Sequence, residues 1–408
     1  MKTLNLIYVL VLCVLIEAFP QQEQNEEIKI SFGGYVNWTA IYDSRQVVAA
    51  RESHFLLYPK PEQLNLDGKD LNAVENLQMA VIQTRLSSKI TGLNFLGAST
   101  SGLVEAEFMG NADTDVNGFR IRHAFVNLKW DNIDLLLGQY WNPMFNAEMF
   151  PDQIGSNGGA PFQPFARNPQ IRLTHQTGAL KTIFAVVTQR DYVSTGPNGS
   201  SSEYLRNAII PDVHLQFNYK IGSNLFGIGG QYKKLKPGAK NGSGVINDET
   251  VSSYSLIGLT KLTLSPITIK LEGVYGSNLT DYTMIGGYAG QSIDTLTNIE
   301  TFTPIKTFAA WADIVYGQGF ELGLFLGYTK NLGSENLISS TYYSRGSNID
   351  RVTRIAPRVQ YKEGNLKVAL EFEYTTAYYG ITDSYGKVNQ SNGVSNTRIY
   401  TSVYYFFL

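Results

Sequence analysis

The sequence predicts an all-β protein: a transmembrane antiparallel up-and-down β-barrel of about sixteen strands with long extracellular loops, one of them folded into the lumen. Three observations carry this. The chain ends on residues 398–408 (RIYTSVYYFFL), where Tyr400, Tyr404, Phe406 and Leu408 share one side of an extended strand. A bare aromatic strand at the end of a soluble protein would leave an edge open to aggregation, whereas a barrel closes its last strand on its first. Second, stretches with period-two alternation recur along the chain, separated by turn residues. Third, the 25 Tyr, 21 Phe and 38 Gly against only 17% charged residues suit an apolar outer band, aromatic girdles and a polar interior.

The elements follow in order. Residues 1–18 read as a signal peptide: a basic start at Lys2, an apolar run over 4–16 and a cleavage point after Ala18. The run is too short for a spanning helix. Cys13, the only cysteine, lies inside it, preceded by Leu12 rather than a small residue, so export without lipidation is expected. Residues 19–28 read as a short linker and 29–408 as the barrel. Strands are expected near 29–42, 78–90, 100–111, 118–130, 133–142, 169–176, 179–189, 211–221, 224–234, 251–262, 265–276, 306–316, 319–330, 352–362, 365–376 and 397–408. In the strand near 319–330, Phe320, Leu322, Leu324, Leu326 and Tyr328 alternate with Glu321, Gly323, Phe325 and Gly327, so one set meets lipid and the other the lumen. Short periplasmic turns are expected at 222–223, 316–319 and 362–365. Long extracellular loops are expected at 43–78, 142–168, 189–210, 234–250, 277–304, 331–350 and 377–396.

Several classes are excluded. The net charge of −2 predicts no nucleic-acid partner. No second apolar run reaches the ~18 residues of a helical span. No phosphate loop and no His/Cys ligand spacing is present, so neither a cofactor nor a metal is predicted. An N-terminal plug domain of the kind carried by energised transporters is also missing from the pattern.

The candidate site is basic. Arg120 and Arg122 share one face of their strand, with Phe119, Ile121 and Phe125 assigned to the other. Arg172 lies between Ile171 and Leu173; Arg85, Arg354 and Arg358 complete the set. An arginine facing lipid at mid-depth costs about 2–4 kcal/mol, so all six are expected to line the lumen. A row of guanidiniums there attracts anions and matches carboxylates bidentately. The alternative is pairing with the lumen carboxylates Glu105, Glu107, Glu371 and Glu373, expected on an opposing wall. Segment 142–168 carries Met144, Phe145, Met149, Phe150, Phe162 and Phe165 among glycines and prolines, and reads as the loop that narrows the pore. His123 and His175 take the apolar phase of their strands. No Gly-x-Ser-x-Gly elbow accompanies them, so no enzyme is predicted.

Phe32-Gly-Gly-Tyr-Val, Ala40-Ile-Tyr-Asp43, Phe119-Arg-Ile-Arg-His-Ala-Phe125, Gly138-Gln-Tyr-Trp141 and Asn168-Pro-Gln-Ile-Arg-Leu-Thr174 resemble the DcaP-like outer-membrane porins. The resemblance covers the first ~175 residues by motif and the rest by strand pattern. It implies a sixteen-stranded homotrimeric porin in the outer membrane of a Gram-negative bacterium, embedded in its lipid. Passage of small anionic solutes, dicarboxylates among them, is implied with it. Arg120, Arg122 and Arg172 fall on matching motifs and would line the eyelet; Arg85 matches less closely. Members of that family can carry a helical coiled-coil extension, for which residues 19–28 are too short. A trimer would then be held by barrel walls, with Trp38 and Phe125 among the aromatics available. The expected function is passive diffusion through an arginine-lined pore. An outer-membrane barrel enzyme and a plugged structural or adhesin barrel are the alternatives.

Overall fold

The computed structural model describes residues 27–155, 158–238 and 244–407. The expected signal peptide lies outside them. Sixteen antiparallel strands form the wall. The first eight are β1 (Lys29–Asp43), β2 (Arg85–Phe95), β3 (Ala98–Glu107), β4 (Arg120–Lys129), β5 (Ile133–Trp141), β6 (Arg167–Thr177), β7 (Leu180–Val187) and β8 (Asp212–Ile221). The second eight are β9 (Asn224–Leu235), β10 (Val251–Leu264), β11 (Ile267–Ser277), β12 (Glu300–Gln318), β13 (Phe320–Gly333), β14 (Ile349–Glu363), β15 (Leu366–Thr382) and β16 (Val388–Phe407).

Each strand pairs with its sequence neighbours, and β1 closes the wall. Its upper part pairs with β16 from Gly34↔Phe407 to Asp43↔Arg398, and its lower part with β2 from Lys29↔Thr91 to Tyr35↔Arg85. The short strand Asn76–Ala80 covers the remaining edge of β1 from Thr39↔Ala80 to Asp43↔Asn76. The edge that would template aggregation is thereby removed. No helix among the described residues is long and apolar enough to cross a membrane.

Alternation places the side chains. Leu215, Phe217, Tyr219 and Ile221 of β8 are exposed on the outside, while His214, Gln216 and Asn218 are buried inside. At the last strand the expected aromatic side faces inward: Tyr400 and Tyr404 are buried in the lumen, and Ile399, Val403, Tyr405 and Phe407 take the outer phase. Gly222 (φ +56) and Gly364 (φ +56) hold tight periplasmic turns in the left-handed region, where glycine meets no steric penalty.

Three expectations need correction. The strand expected over 78–90 breaks at 81–84, so its main ladder starts at Arg85. The loop expected over 377–396 is mostly strand, because β15 and β16 continue pairing to Thr382↔Val388. The third concerns phase. On β4, Glu105 faces His123 while Ala106 faces Ile121, so Arg122 is the extra residue of a β-bulge. A bulge shifts the alternation by one. Below it His123 and Phe125 point into the lumen, not to the outer wall, and Phe125 packs edge-on against Tyr140 at 5.2 Å. Gly138 (φ +140) makes room, since a Cβ there would meet Phe125 Cα at 2.6 Å.

The described part of loop 3 (142–155 and 158–166) folds into the lumen as expected. Met144, Met149, Phe162 and Phe165 are fully buried. The loop crosses to the far wall, where Phe162 packs on Phe325 at 6.0 Å and lies over Gly327. Loops 1 (44–84), 4 (188–211) and 6 (278–299) also lean inward: Phe55–Pro59, the Asp191 side chain and Tyr282 are buried.

Candidate functional site

The site is built on the wall formed by β2, β3 and β4. Register sets Arg85 opposite Glu107 and Glu107 opposite Arg120, a cross-strand row of alternating charge facing the lumen. The bulge adds Arg122 beside it. Arg120 Nη2 donates to Glu107 Oε1 at 2.6 Å and Arg122 Nη1 to Glu107 Oε2 at 2.6 Å. Arg122 Nε donates to Glu105 Oε1 at 2.7 Å, and Arg85 lies 3.4 Å from Glu107. Such charge-assisted bonds hold the guanidinium planes in fixed orientations.

Loops add the remaining charges. Asp191 of loop 4 accepts from Arg120 at 2.5 Å and from Arg167 at 2.8 Å. Burial raises its pKa, but Arg120, Arg167 and Arg51 outweigh that and leave its carboxyl below the ordinary range. Arg51 reaches within 3.8 Å of Asp191. It starts a curl of three left-handed residues, Arg51, Glu52 and Ser53 (φ +57, +48 and +67). Each such residue costs about 1 kcal/mol or more, so the surrounding contacts hold this curl in place. The Arg167 guanidinium stands 4.0 Å over the Trp141 ring.

Five guanidiniums (Arg51, Arg85, Arg120, Arg122, Arg167) thus meet three carboxylates (Glu105, Glu107, Asp191). The balance is positive. Arg172 adds to it: Nε donates to Gln170 Oε1 at 2.9 Å and Nη2 to the Trp141 carbonyl at 2.5 Å, both neutral acceptors. A cavity of about 550 Å³ opens between this wall and loop 3. Arg85, Arg122, Arg167, Glu105, Asp152 and Lys367 are among its lining residues.

The predicted residues therefore divide. Arg85, Arg120, Arg122, Glu105 and Glu107 come together, with Arg172 two strands further along the same wall. Glu105 and Glu107 lie on the strand between the arginines rather than on the facing wall, because neighbouring inward positions pair across the ladder. Arg354 and Arg358 stand apart on β14. Arg354 donates to the carbonyls of Ala160 and Leu56, both at 2.9 Å, and to Thr375 Oγ1 at 2.8 Å, tying loops 1 and 3 to the wall. Arg358 grips Asp313 through two bonds of 2.7 and 3.0 Å. Glu371 accepts the Ile154 N–H at 3.2 Å, and Glu373 lies 3.9 Å from Arg354.

Sequence reasoning missed Arg51, Arg167 and Asp191. Arg51 and Asp191 are loop residues whose placement no periodicity encodes. Arg167 is five residues from Arg172, an odd spacing that assigns it to the wrong face of an unbroken strand. The histidines make no pair with a serine: His54 faces Thr39, His175 faces Thr177, His214 faces Gln216, and His123 lies 3.8 Å from Glu105.

A closed sixteen-stranded barrel with an apolar exterior, polar lumen and inward-folded loop has the architecture of outer-membrane porins. Comparison with solved structures agrees at the level of fold. The chain is similar to the outer-membrane channel DcaP of Acinetobacter baumannii, with a TM-score of 0.70 and 15% identity over 95% of this chain and 100% of that one. It is also similar to an anion-selective porin from Comamonas acidovorans (TM-score 0.55, 11% identity, 93% of this chain and 100% of that one). Salmonella typhi OmpF, solved with daunomycin, gives a TM-score of 0.53 and 12% identity over 95% of this chain and 100% of that one. The sequence matches no protein-family model and no curated protein.

Proposed function

We propose that this porin passes small anionic solutes, dicarboxylates among them, by passive diffusion. The observation that carries the reading is the excess of guanidinium over carboxylate at the narrowed lumen. Three of the arginines, Arg85, Arg122 and Arg167, line one cavity, and Lys367 of β15 lines it from a second side. Cations on two sides of one cavity suit a solute with two carboxylates. Low dielectric walls strengthen their field on a passing anion. Loop 3 narrows the lumen beside this basic wall, so selection would be by width and by charge.

Current across a planar bilayer under a KCl gradient tests this. Open steps with a reversal potential on the chloride side are expected, and millimolar dicarboxylate should interrupt the chloride current more than a monocarboxylate of equal length. Cation preference would overturn the anion reading while leaving a porin. A folded barrel without steps would overturn both.

We also propose a homotrimer. The outward face of the β1–β4 side presents Trp38, Leu77, Met79, Phe119 and Ile121, all exposed. Phe125 is no part of that wall. Among the described residues, the outward positions in the upper halves of β1 to β6 carry no lysine or arginine. Such an apolar wall can pack against a sister barrel.

A further inference from the structure

The outer face of the opposite side differs. On β12, Lys306 shares the outward phase with Phe308, Ala310, Ile314 and Tyr316. On β13, Lys330 follows outward Leu322, Leu326 and Tyr328. On β14, Arg351 precedes outward Thr353, Ile355 and Pro357. Register joins them: Phe308 pairs with Lys330, Lys330 with Arg351 and Arg351 with Tyr378. The result is one row of aromatic ends and cationic centre on the outside of the barrel. The Arg351 guanidinium lies 3.7 Å from the centre of the Tyr378 ring.

Height decides what this row meets. A strand tilted by about 45° crosses the hydrocarbon in about 9–11 residues. Lys330 stands ten residues above Phe320, Lys306 twelve from Gln318 and Arg351 twelve from Glu363, each counted from the periplasmic end of its strand. All three cations therefore emerge where hydrocarbon ends and the outer headgroups begin. Deeper on the same outward face the side chains are apolar apart from Thr353.

A built notch lies directly above. It has a volume of about 420 Å³ and is lined by Lys306, Leu332, Ser334, Glu335, Tyr385 and Lys387. Lys387 reaches it from the turn between β15 and β16, and its side chain lies against Gly333, where a Cβ would come within 2.6 Å of Lys387 Cγ. The opposing charges are few. Glu335 bonds Lys306, and Asp350 lies 3.2 Å from Lys330 and 2.5 Å from Arg351. Asp383 accepts the Lys387 backbone N–H at 3.0 Å. Four cations against three carboxylates leave the rim positive. Glu335 is largely exposed, so a stronger anion can displace it from Lys306.

We propose that this rim binds the phosphate groups of a phosphorylated glycolipid in the outer leaflet, with Lys306 and Lys387 holding phosphate in the notch. Lys330 and Arg351 stand at the glycolipid's interfacial edge, and its acyl chains lie on the apolar wall below. Charge complementarity at headgroup depth selects this occupant over a second barrel, which would have to bury these cations. The site is separate from the lumen and independent of the solute reading.

The test uses the intact barrel in detergent, with lipopolysaccharide added and counted by native mass spectrometry. The wild-type barrel should retain the lipid. The Lys306→Gln/Lys387→Gln variant should retain it about thirty-fold more weakly, since each of the two interfacial cations is worth about 1 kcal/mol. The Lys306→Arg/Lys387→Arg variant should restore retention, and dephosphorylated glycolipid should be retained no better than by the Gln variant. Equal retention by wild type and the Gln variant would overturn the proposal. So would equal retention of dephosphorylated lipid. Displacement by millimolar inorganic phosphate, without any preference for the lipid, would mark a free-anion site instead and also overturn it. Single-channel conductance of the Gln variant reports folding independently, because neither lysine faces the lumen.

Discussion

Glu107 accepts from Arg120 and Arg122 and lies within 3.4 Å of Arg85, with no exposed side-chain surface. Removing one partner of such a buried network leaves charge uncompensated, at a cost of about 3–5 kcal/mol. Glu107→Gln should therefore lower the unfolding temperature of the barrel while increasing its anion preference. A variant with unchanged reversal potential would show that the wall does not set selectivity. Arg172 offers the complementary case, because its partners are neutral. Arg172→Gln should reduce anion preference with little loss of stability, and heat-dependent gel mobility checks the second half. Asp191 adds a pH prediction. Its folded pKa lies below the usual value of about 3.9, so its contribution is complete above that value and is lost as pH falls through the lowered one. Loop 4 should resist acid-stable protease at pH 5 and become cleavable only in stronger acid.

At the scale of the element, loop 3 is held from many sides. Asp313 accepts the Asp152 N–H at 2.8 Å, Lys270 donates to the Phe150 carbonyl at 2.6 Å, and Tyr404 donates to the Ile154 carbonyl at 3.0 Å. Phe162 is seated where Gly327 has no side chain: a Cβ there would come within 2.4 Å of its ring. Gly327→Val should expel Phe162 and loosen the loop. Single-channel conductance should rise and become noisier, with the barrel still folded. Unchanged conductance would mean that loop 3 does not set the constriction. The loop's many apolar residues signalled in the sequence that it would be buried. Where it lands was not legible, because its anchors come from six strands, β11 to β16.

On the scale of the whole molecule, the exterior is two-sided. One side is apolar to the top, and the other carries Lys306, Lys330 and Arg351 at the outer rim. An arginine buried between two barrels has neither water nor a partner, whereas on a lone barrel at this height it reaches the outer headgroups. Trp38→Arg/Met79→Arg should therefore convert a trimer to monomers, measured by mass in detergent. A wild-type barrel already monomeric in mild detergent would refute the trimer.

The sequence by itself determined the barrel, nearly all strand positions and the inward face of Arg85, Arg120, Arg122, Arg172, Arg354 and Arg358. The physical reason is local: alternation repeats every two residues, and lipid excludes charge at mid-depth. The bulge at Arg122 escaped it, because one inserted residue reverses the phase without altering composition. Only the tertiary structure decided that Glu107 stands between Arg85 and Arg120, that Asp191 and Arg51 arrive from loops, and that Arg354 and Arg358 anchor rather than join the basic wall. Those facts depend on register between strands and on loops that cross the lumen, and neither is written in the period of a single strand.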